Sequence, residues 1–378
     1  MVHQRLYADI HVIQSLPPSN VNRDDTGSPK QAIYGGTRRA RISSQALKRA
    51  ARLAFASRQE EQLRAVRTRR LHELLSERLV LGARIGPELA DRAAAVLVEG
   101  MGIDKIDKNK RLLPYLLFFG LPQLDSAVAQ VRNLQLDGSL SDKDLKAALE
   151  PVTLDSALHE GHPVDVALFG RMVADLPKMN VDAAVQVAHA LSTHPVEIGF
   201  DYFTAVDDQN PREDTGAGMI GTVEFNSATY YRYASVGLHQ LAENLSGSWD
   251  AAIAALDLFV DSFALSVPSG HQNAFAHRTR PTLVAVVLRE DQPVNLVTAF
   301  ESAITGHLGA LSASVARLAK LYRADKDLWG DEPIGAFGSL NSVVVEADAR
   351  DAVEAAFGPN LAFGDLRAAL RSAVVARG

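Results

Sequence analysis

The sequence has no cysteine and no long uninterrupted apolar run. The lack of cysteine excludes disulfides, thiolate metal sites and cysteine nucleophiles. No stretch reaches the about 18 apolar residues that a membrane-spanning helix needs. The most apolar long window, 251–267, is interrupted by Asp257 and Asp261. The first residues also lack the basic and apolar regions of a signal peptide, so we expect a cytoplasmic protein.

Acidic residues are missing from residues 26–59, although the whole chain has a net charge of −6. That stretch contains eight basic residues, namely Lys30, Arg38, Arg39, Arg41, Lys48, Arg49, Arg52 and Arg58. Residues 1–70 carry +9, and residues 71–378 therefore carry −15. A local positive field in an acidic protein favours a polyanion docked at one place. The ordinary alternative is a solvated helix face.

The pattern around these basic residues predicts a strand, a turn, a second strand and a helix. Residues 32–34 and 38–42 are separated by two glycines, and alternation places Arg39 and Arg41 on one face of the second strand. Ser43 or Ser44 is a suitable N-cap for a helix from Gln45 onward. The helix carries a polar stripe at i, i+3, i+4 and i+7, formed by Gln45, Lys48, Arg49 and Arg52. Amides of the helix N-terminus, serines and arginines then converge on one anion, which indicates a phosphate-binding site.

Two aromatic and β-branched segments, 196–206 and 219–236, predict a long β-hairpin with an irregular tip at 207–218. Near the tip, Tyr202, Phe203, Met219 and Ile220 are either exposed or packed in the core, and the pattern alone does not decide between these. The rest of the chain predicts an α+β or α/β architecture, with interleaved helices and strands. The predicted segments are a strand at 6–13, a loop at 17–28, a helix-rich insertion at 59–190, helices at 238–244 and 249–262, a loop at 268–273, a strand at 282–288, helices at 294–307 and 312–323, and a β-α segment at 339–376.

Asp24 and Asp25 are the strongest candidates for a catalytic metal site. Two carboxylates beside a basic cleft can hold Mg²⁺ and cut a phosphodiester. Adjacent residues of an extended strand point to opposite faces, however, so capping of the loop or pairing with arginines is favoured. The G-x-G-x-x-G pattern at 216–221 follows no hydrophobic strand and opens no helix, which argues against dinucleotide binding. His159 and His162 have no evident third ligand.

Several segments resemble one known family. The sequences N-R-D-D at 22–25 and A-I-Y-G-G-T-R-R-A-R-I-S-S-Q-A-L-K-R-A at 32–50 resemble the CasC backbone subunit of the type I-E CRISPR Cascade complex. Further similar segments keep their order along the chain: A-L-F-G-R-M at 167–172, D-Y-F-T-A-V-D-D at 201–208, E-F-N-S-A-T-Y-Y-R-Y-A at 224–234 and Q-N-A-F-A-H-R-T-R-P at 272–281.

The resemblance implies an α+β fold with an RRM-like (ferredoxin-like) palm, a helical fingers insertion and a β-hairpin thumb. The implied boundaries are palm at 1–58, 191–200 and 226–378, fingers at 59–190 and thumb at 201–225. Copies would stack head to tail along one CRISPR RNA, forming a helical filament. Each thumb would displace one base at regular intervals and leave the others to pair with target DNA in an R-loop, as part of antiviral defence.

The resemblance also implies no enzymatic activity, no cofactor and no metal. The implied partners are CRISPR RNA, the target DNA strand, further copies of the chain, and the large, small, 5′-end cap and repeat-processing subunits of Cascade. A recruited helicase-nuclease would degrade the DNA. The alternative is a metal-dependent RNase that cuts bound target RNA with Asp24 or Asp25, as backbone subunits of the related type III complexes do.

Two sets of RNA-binding residues follow from the resemblance. Phosphate and hydrogen-bond contacts are expected from Asn20, Asn22, Arg23, Lys30, Arg38, Arg39, Arg41, Ser43, Ser44, Gln45, Lys48, Arg49, Arg52, His271, Gln272 and Asn273. Contacts with bases, or with the next subunit near the thumb tip, are expected from Phe169, Met172, Tyr202, Phe203, Thr204, Val206, Met219 and Ile220. The chain departs from the family at 209–212 and at His271, where we expect lysine.

Overall fold

The computed structural model describes residues 5–58, 64–107, 109–205, 219–305 and 309–377, with the backbone alone at 205, 219 and 220. The chain divides into two compact units. The first unit contains Met1–Ala54, Gln186–Gly237 and Leu256–Gly378, and the second contains Phe55–Val185 and Leu238–Ala255. Among the described residues, no helix combines the length and apolar character needed to cross a membrane.

The strands form one large antiparallel sheet and one small one. They are β1 (Tyr7–Ser19), β2 (Gln31–Tyr34), β3 (Thr37–Ile42), β4 (Ala65–Thr68), β5 (Leu117–Gly120), β6 (Val185–Val187), β7 (Ala190–Ser192), β8 (Gly199–Ala205), β9 (Met219–Gly237), β10 (Leu283–Arg289) and β11 (Gly335–Leu340). Nine of them form a sheet in the order β11-β10-β1-β9-β7-β3-β2, with β6 and β8 also paired to β9. β4 pairs with β5 separately.

The helices belong to both units. They are α1 (Ser44–Ala56), α2 (Leu71–Arg78), α3 (Pro87–Gly100), α4 (Leu121–Asn133), α5 (Asp142–Leu149), α6 (Leu154–His159), α7 (Val164–Phe169), α8 (Leu238–Asn244), α9 (Trp249–Leu265), α10 (Gln272–Phe275), α11 (Leu311–Trp329), α12 (Ala347–Phe357) and α13 (Phe363–Val375). A π-helical turn follows α2 at Leu79–Ala83, and 3-10 turns lie at Pro177–Met179, Leu296–Phe300 and Ser342–Val344.

The core of the first unit lies between the sheet and α11 to α13. Every residue of β10 is buried, as its unbroken apolar sequence predicts. Helices α12 and α13 contact β11, and α11 contacts β1. The rings of Tyr322 and Phe357 stack at 4.8 Å between centroids, which joins α11 to α12. Helices α11 to α13 thus pack on the sheet. Strand β9 extends beyond it and pairs with β8 in a hairpin.

The second unit has a core of its own, built mainly from helices. Leu75, Leu97, Leu124 and Leu158 are among the buried residues that α2, α3, α4 and α6 contribute to it. The sequence predicted helices here but not the pairing of β4 with β5. The L-F-F-G run of β5 is short and apolar, and such runs do not distinguish a buried strand from a buried helix.

The predicted α+β class, the strand-turn-strand unit, the helix after Ser43 and the long hairpin are confirmed. The pairing of β8 with β9 runs from Gly199↔Phe225 to Ala205↔Met219. The loop predicted at 268–273 instead includes the start of α10.

The helix predicted at 294–307 is wrong over its described part, where only the 3-10 turn Leu296–Phe300 forms. Val294 donates its backbone N–H to Asp9 Oδ2 at 2.9 Å, and Leu296 donates to the Tyr231 hydroxyl at 3.1 Å. These bonds, with the Asn295 side chain that accepts from the N–H of Val297, fix the start of the segment against β1 and β9.

Candidate nucleic-acid interface

Backbone hydrogen bonds join the loop after β1 to the β2–β3 hairpin. Lys30 donates its N–H to the carbonyl of Asn22, and Arg41 donates to the carbonyl of Lys30, both at 2.9 Å. The N–H of Ser43 donates to Asn22 Oδ1 at 2.8 Å. Asn22, Lys30, Arg41 and Ser43 are therefore neighbours, although they are spread over some twenty positions of the sequence.

Helix α1 begins at this same place and presents its polar stripe outward. Ser43 is the N-cap, because its Oγ accepts from the N–H of Ala46 at 3.3 Å. Leu47 and Ala51 are buried on the opposite face, so the stripe predicted from the sequence is confirmed as the outer face. No acidic residue lies in the first turn to neutralise the helix N-terminus. The Lys48 ammonium is half-buried, and this desolvation lowers its pKa.

Two histidines at this surface each accept a hydrogen bond from an arginine. Arg41 Nη1 donates to His189 Nδ1 at 3.0 Å, and Arg23 Nη1 donates to His271 Nε2 at 2.8 Å. Desolvation lowers the pKa of both imidazoles, and the neighbouring arginine lowers each further. Lys30 adds to the effect on His189. Both imidazoles therefore lie beside cations and accept hydrogen bonds from them.

The segment that follows α9, residues 266–279 (the 266–279 loop), borders this surface. It carries His271, and its Phe275 ring lies 6.0 Å from the ring of Phe225 at the base of the β8–β9 hairpin. Gln272 and Asn273 are exposed on α10. The loop therefore connects the Arg23 side of the surface with the hairpin.

The β8–β9 hairpin places an aromatic ring over a glycine at two positions. A Cβ on Gly221 would lie 2.4 Å from Phe203 Cζ, and a Cβ on Gly199 would lie 2.7 Å from the Phe225 ring. The Phe203 ring therefore packs on the hairpin itself, and the residue is 40% exposed. On the other face of β8, Phe200 and Tyr202 are 67% and 63% exposed, which leaves them free to stack on a base. Thr204 is exposed on that face too.

Arg39 is buried, and its expected phosphate contact is not supported by the structure. Its guanidinium donates to the carbonyls of Ser192, Phe300 and Glu301 at 2.9 to 3.2 Å and to Thr37 Oγ1 at 2.8 Å. The face of β3 that carries Arg39 is covered by the 3-10 turn, so alternation alone misplaced this side chain. Arg39 fastens the β2–β3 hairpin to the rest of the unit.

Asn20 is also buried, contrary to its expected role in direct RNA binding. Its Nδ2 donates to the carbonyls of Gly27 at 3.0 Å and Glu224 at 2.9 Å. These bonds link the loop after β1 to the base of the hairpin, so Asn20 shapes the surface from below. Ser43, the helix cap, is likewise nearly buried.

The other residues expected to bind phosphate lie at or near the surface of the first unit. Arg23, Arg38, Gln45 and Arg49 are exposed, and Asn22, Lys30, Arg41, Ser44, Lys48, Arg52 and His271 are half-buried. Val206, the tip at 207–218 and the side chains of Met219 and Ile220 lie outside the described residues.

Phe169 and Met172 belong to the second unit. Phe169 is half-buried, with its ring 6.3 Å from that of Phe55, so packing accounts for much of its surface. Met172 is 87% exposed, so packing covers little of its surface.

Asp24 is engaged by its own loop. Its Oδ1 accepts from the Thr26 hydroxyl at 2.7 Å and from the N–H groups of Thr26 and Ser28 at 3.0 Å. The Thr26 hydroxyl is the main cause that lowers the pKa of this carboxyl. This is the capping role that the sequence favoured. Within the described ranges, no three or more acidic, histidine or cysteine side chains are grouped to hold a metal ion.

Comparison with known proteins gives a family. Residues 8–361 match the family described as CT1975-like protein. The chain belongs to this family. Among solved structures, a chain described as "CRISPR RNA-guided surveillance complex, pre-nicking" is 32% identical, with a TM-score of 0.82 over 97% of this chain and 100% of the other. No curated protein matches the chain.

A second solved chain, described as "CRISPR RNA-guided surveillance complex", is 28% identical, with a TM-score of 0.63 over 97% of this chain and 99% of the other. The matches confirm the resemblance to a Cascade backbone subunit that the sequence motifs predicted. This CT1975-like protein is therefore related to subunits of CRISPR RNA-guided complexes over nearly its whole length.

Sequence reasoning missed three features of this CT1975-like protein. Phe200 was overlooked, although its place two residues before Tyr202 puts both on one face of a strand. His189 gave no signal, because its contact with Arg41 depends on how β3 approaches β7. Arg232 sits inside the motif E-F-N-S-A-T-Y-Y-R-Y-A, but nothing in the pattern shows that it is buried.

Proposed function

We propose that the protein is a non-catalytic backbone subunit of a type I-E Cascade complex that binds CRISPR RNA. The observation that carries this proposal is the continuous cationic surface formed by the loop after β1, strand β3 and helix α1. Arg23, Lys30, Arg41, Lys48 and Arg49 face outward or half-outward there. Desolvation lowers the pKa of His189 and of His271, and the nearby cations lower each pKa further, which agrees with a cationic surface.

Contacts of this kind suit a protein that must hold any guide sequence. Arginine, lysine and backbone amides bind phosphates and fix the path of a strand without reading its bases. The target sequence is then recognised by base pairing with the guide RNA and not by the protein. Arg38, Arg52, Ser44, Gln45 and Asn22 extend the phosphate-binding set, and Gln272 and Asn273 approach from the 266–279 loop.

The β8–β9 hairpin is proposed to act as the thumb, on an RRM-like palm with helical fingers. The exposed rings of Tyr202 and Phe200, with Phe203 and Thr204, would separate one base from its neighbours, since stacking on an aromatic ring tolerates any base. Copies placed head to tail would repeat this displacement along the RNA and present the intervening bases to target DNA. Other Cascade subunits would cap the ends, and a recruited nuclease would cut the DNA.

The absence of catalysis is part of the proposal. Asp24 is held by three donors of its own loop, which leaves it poorly placed to share a metal with Asp25. Mg²⁺-dependent cleavage of bound complementary RNA, lost in Asp25→Ala, would contradict this and favour the RNase alternative.

The test of the cationic surface is the salt dependence of RNA binding. Replacing Lys48 and Arg49 by alanine should weaken binding evenly across sequences. The slope of log K against log salt concentration should fall by roughly 0.7 for each phosphate of a single strand that the variant no longer neutralises. Fluorescence anisotropy with two RNAs of unrelated sequence measures both effects.

A matched control removes the same charge elsewhere. Lys320 and Arg323 are exposed on α11 and carry the same total charge as Lys48 and Arg49. Their double replacement by alanine should leave the slope unchanged. If both double variants altered the slope equally, or neither did, the cationic surface would not be the RNA site.

A further inference from the structure

Arg232 is a buried cation that does not bind a carboxylate within the part of the chain that the structure describes. It is 2% exposed on β9, and its guanidinium donates to main-chain carbonyls at the end of α9. Nη2 donates to Phe263 and, at 3.0 Å, to Ser266, while Nη1 donates to Ala264 at 3.4 Å. The partial negative charge of a helix C-terminus takes the place of a counter-ion.

The same guanidinium reaches the other end of the 266–279 loop through Gln14. Arg232 Nη1 donates to Gln14 Oε1 at 2.5 Å. Gln14 Nε2 in turn donates to the carbonyl of Thr279 at 2.8 Å, and the Thr279 hydroxyl donates to the carbonyl of Ser15. One chain of hydrogen bonds thus holds the first and last residues of the loop.

Between these ends the loop is closed and seated on the surface described above. His277 Nε2 donates across the loop to the carbonyl of Pro268 at 2.9 Å. At the tip, a Cβ on Gly270 would lie 2.6 Å from the carbonyl oxygen of Val21, so the two backbones are in direct contact. This contact places His271 against Arg23. A shift at either end of the loop would therefore move His271 relative to Arg23.

We propose that Arg232 and Gln14 are positioning residues, which hold the 266–279 loop in the shape that its contacts with RNA require. The inference deepens the proposed function and rests on it. Both side chains are buried, so they are not accessible to a strand on the surface. Their effect is preorganisation, because a loop that spends less time in the competent shape lowers the apparent affinity by that fraction.

Two variants and one matched control test the proposal. Arg232→Lys keeps the charge but removes the planar guanidinium, whose two terminal nitrogens join the end of α9 to Gln14. Gln14→Met is close to isosteric and removes the hydrogen bonds of the Gln14 side-chain amide, both from Arg232 and to Thr279. The control is Arg289→Lys, the same substitution at another buried arginine of the sheet, whose partners are Asp9 and Asp331 and not the loop.

Two readouts are needed on the full chain. Hydrogen exchange of the RNA-free protein reports the loop amides at 269–276, and anisotropy with a single-stranded RNA reports affinity over a range of salt. Both variants should exchange these amides faster than the control, by about tenfold, and lose RNA affinity by a similar factor with an unchanged salt slope. A merely structural defect would act through overall stability, which Arg289→Lys reproduces.

Loop exchange and affinity equal to those of the control in both variants would overturn the proposal. A changed salt slope would also overturn it, because the number of phosphates that the bound protein neutralises should not depend on how often the free loop adopts the competent shape. If Arg232→Lys did not fold, Gln14→Met would decide the matter alone. Wild-type protein that bound no RNA would instead overturn the proposed function, and loop exchange would still show whether Arg232 positions the loop.

Discussion

At the scale of single residues, we expect the contact of Arg23 with His271 to make the proposed RNA binding sensitive to pH. Arg23 donates to Nε2, so the imidazole must be unprotonated, and desolvation together with Arg23 lowers its pKa. The other charged groups lining this side are Asp24 and Asp25. A bound phosphate would take over the donors of Arg23 and raise the pKa of His271. Binding would then take up a proton, so affinity should rise as the pH falls from about 7.5 to about 5.5.

Affinity measured at constant ionic strength over this pH range checks the prediction. His189 is held in the same way by Arg41 and should contribute with the same sign. The double variant His271→Gln, His189→Gln should lose most of the dependence. A pH profile that was flat in the wild type, or unaltered in the double variant, would count against phosphates at these two arginines.

Residue type alone did not reveal which arginines face outward. Arg38, Arg39 and Arg41 follow one another on a short strand, yet Arg38 is exposed, Arg41 is half-buried and Arg39 is fully buried. The difference comes from the 3-10 turn that covers Arg39, and that turn lies more than 250 positions away in the sequence. The sequence indicated the cationic region, but which of its residues are exposed and which are buried depends on tertiary packing.

At the scale of elements, the β8–β9 hairpin depends on the fit of Phe203 over Gly221. Gly221→Val should push the ring off the strand, since any Cβ at this position overlaps it. Overpacking of this kind costs about 1–3 kcal/mol. Hydrogen exchange of the hairpin amides at 200–204 should therefore become about tenfold faster or more, while the sheet of the first unit keeps its protection.

A second substitution shows whether the ring is the cause. Phe203→Ala introduced into Gly221→Val removes the overlap and should restore slow exchange in part. Thr222→Val serves as the control, because it adds no branching at the neighbouring position of β9. Equal exchange in Gly221→Val and Thr222→Val would show that the glycine does not serve to accommodate the Phe203 ring.

The elements that were predicted well are those with strong local signals. Aromatic and β-branched residues indicated β8 and β9, and the cap at Ser43 indicated α1. The segment at 294–307 had a helical pattern, but Asp9 and Tyr231 bind its amides instead. Competition from distant side chains is invisible to a local pattern, and the same holds for the hydrogen-bond chain that Arg232 and Gln14 form.

At the scale of the whole molecule, charge is divided sharply along the chain. Residues 1–70 carry +9 and the remainder carries −15, so we expect nucleic acid to dock on the surface formed by the first residues of the chain. A subunit that presents this surface, a protruding hairpin and a heterologous contact to the next copy can extend along RNA without closing into a ring. Both structural neighbours are described as CRISPR RNA-guided surveillance complexes, which is compatible with the proposed role.

The most direct test is to recover the nucleic acid that the protein holds. The chain is co-expressed with its CRISPR array and partner subunits, the assembly is purified through this chain, and the bound nucleic acid is extracted, sized and sequenced. The account predicts RNA of one length that carries repeat and spacer sequence. Preparations with no RNA, or with RNA of random length and sequence, would contradict it.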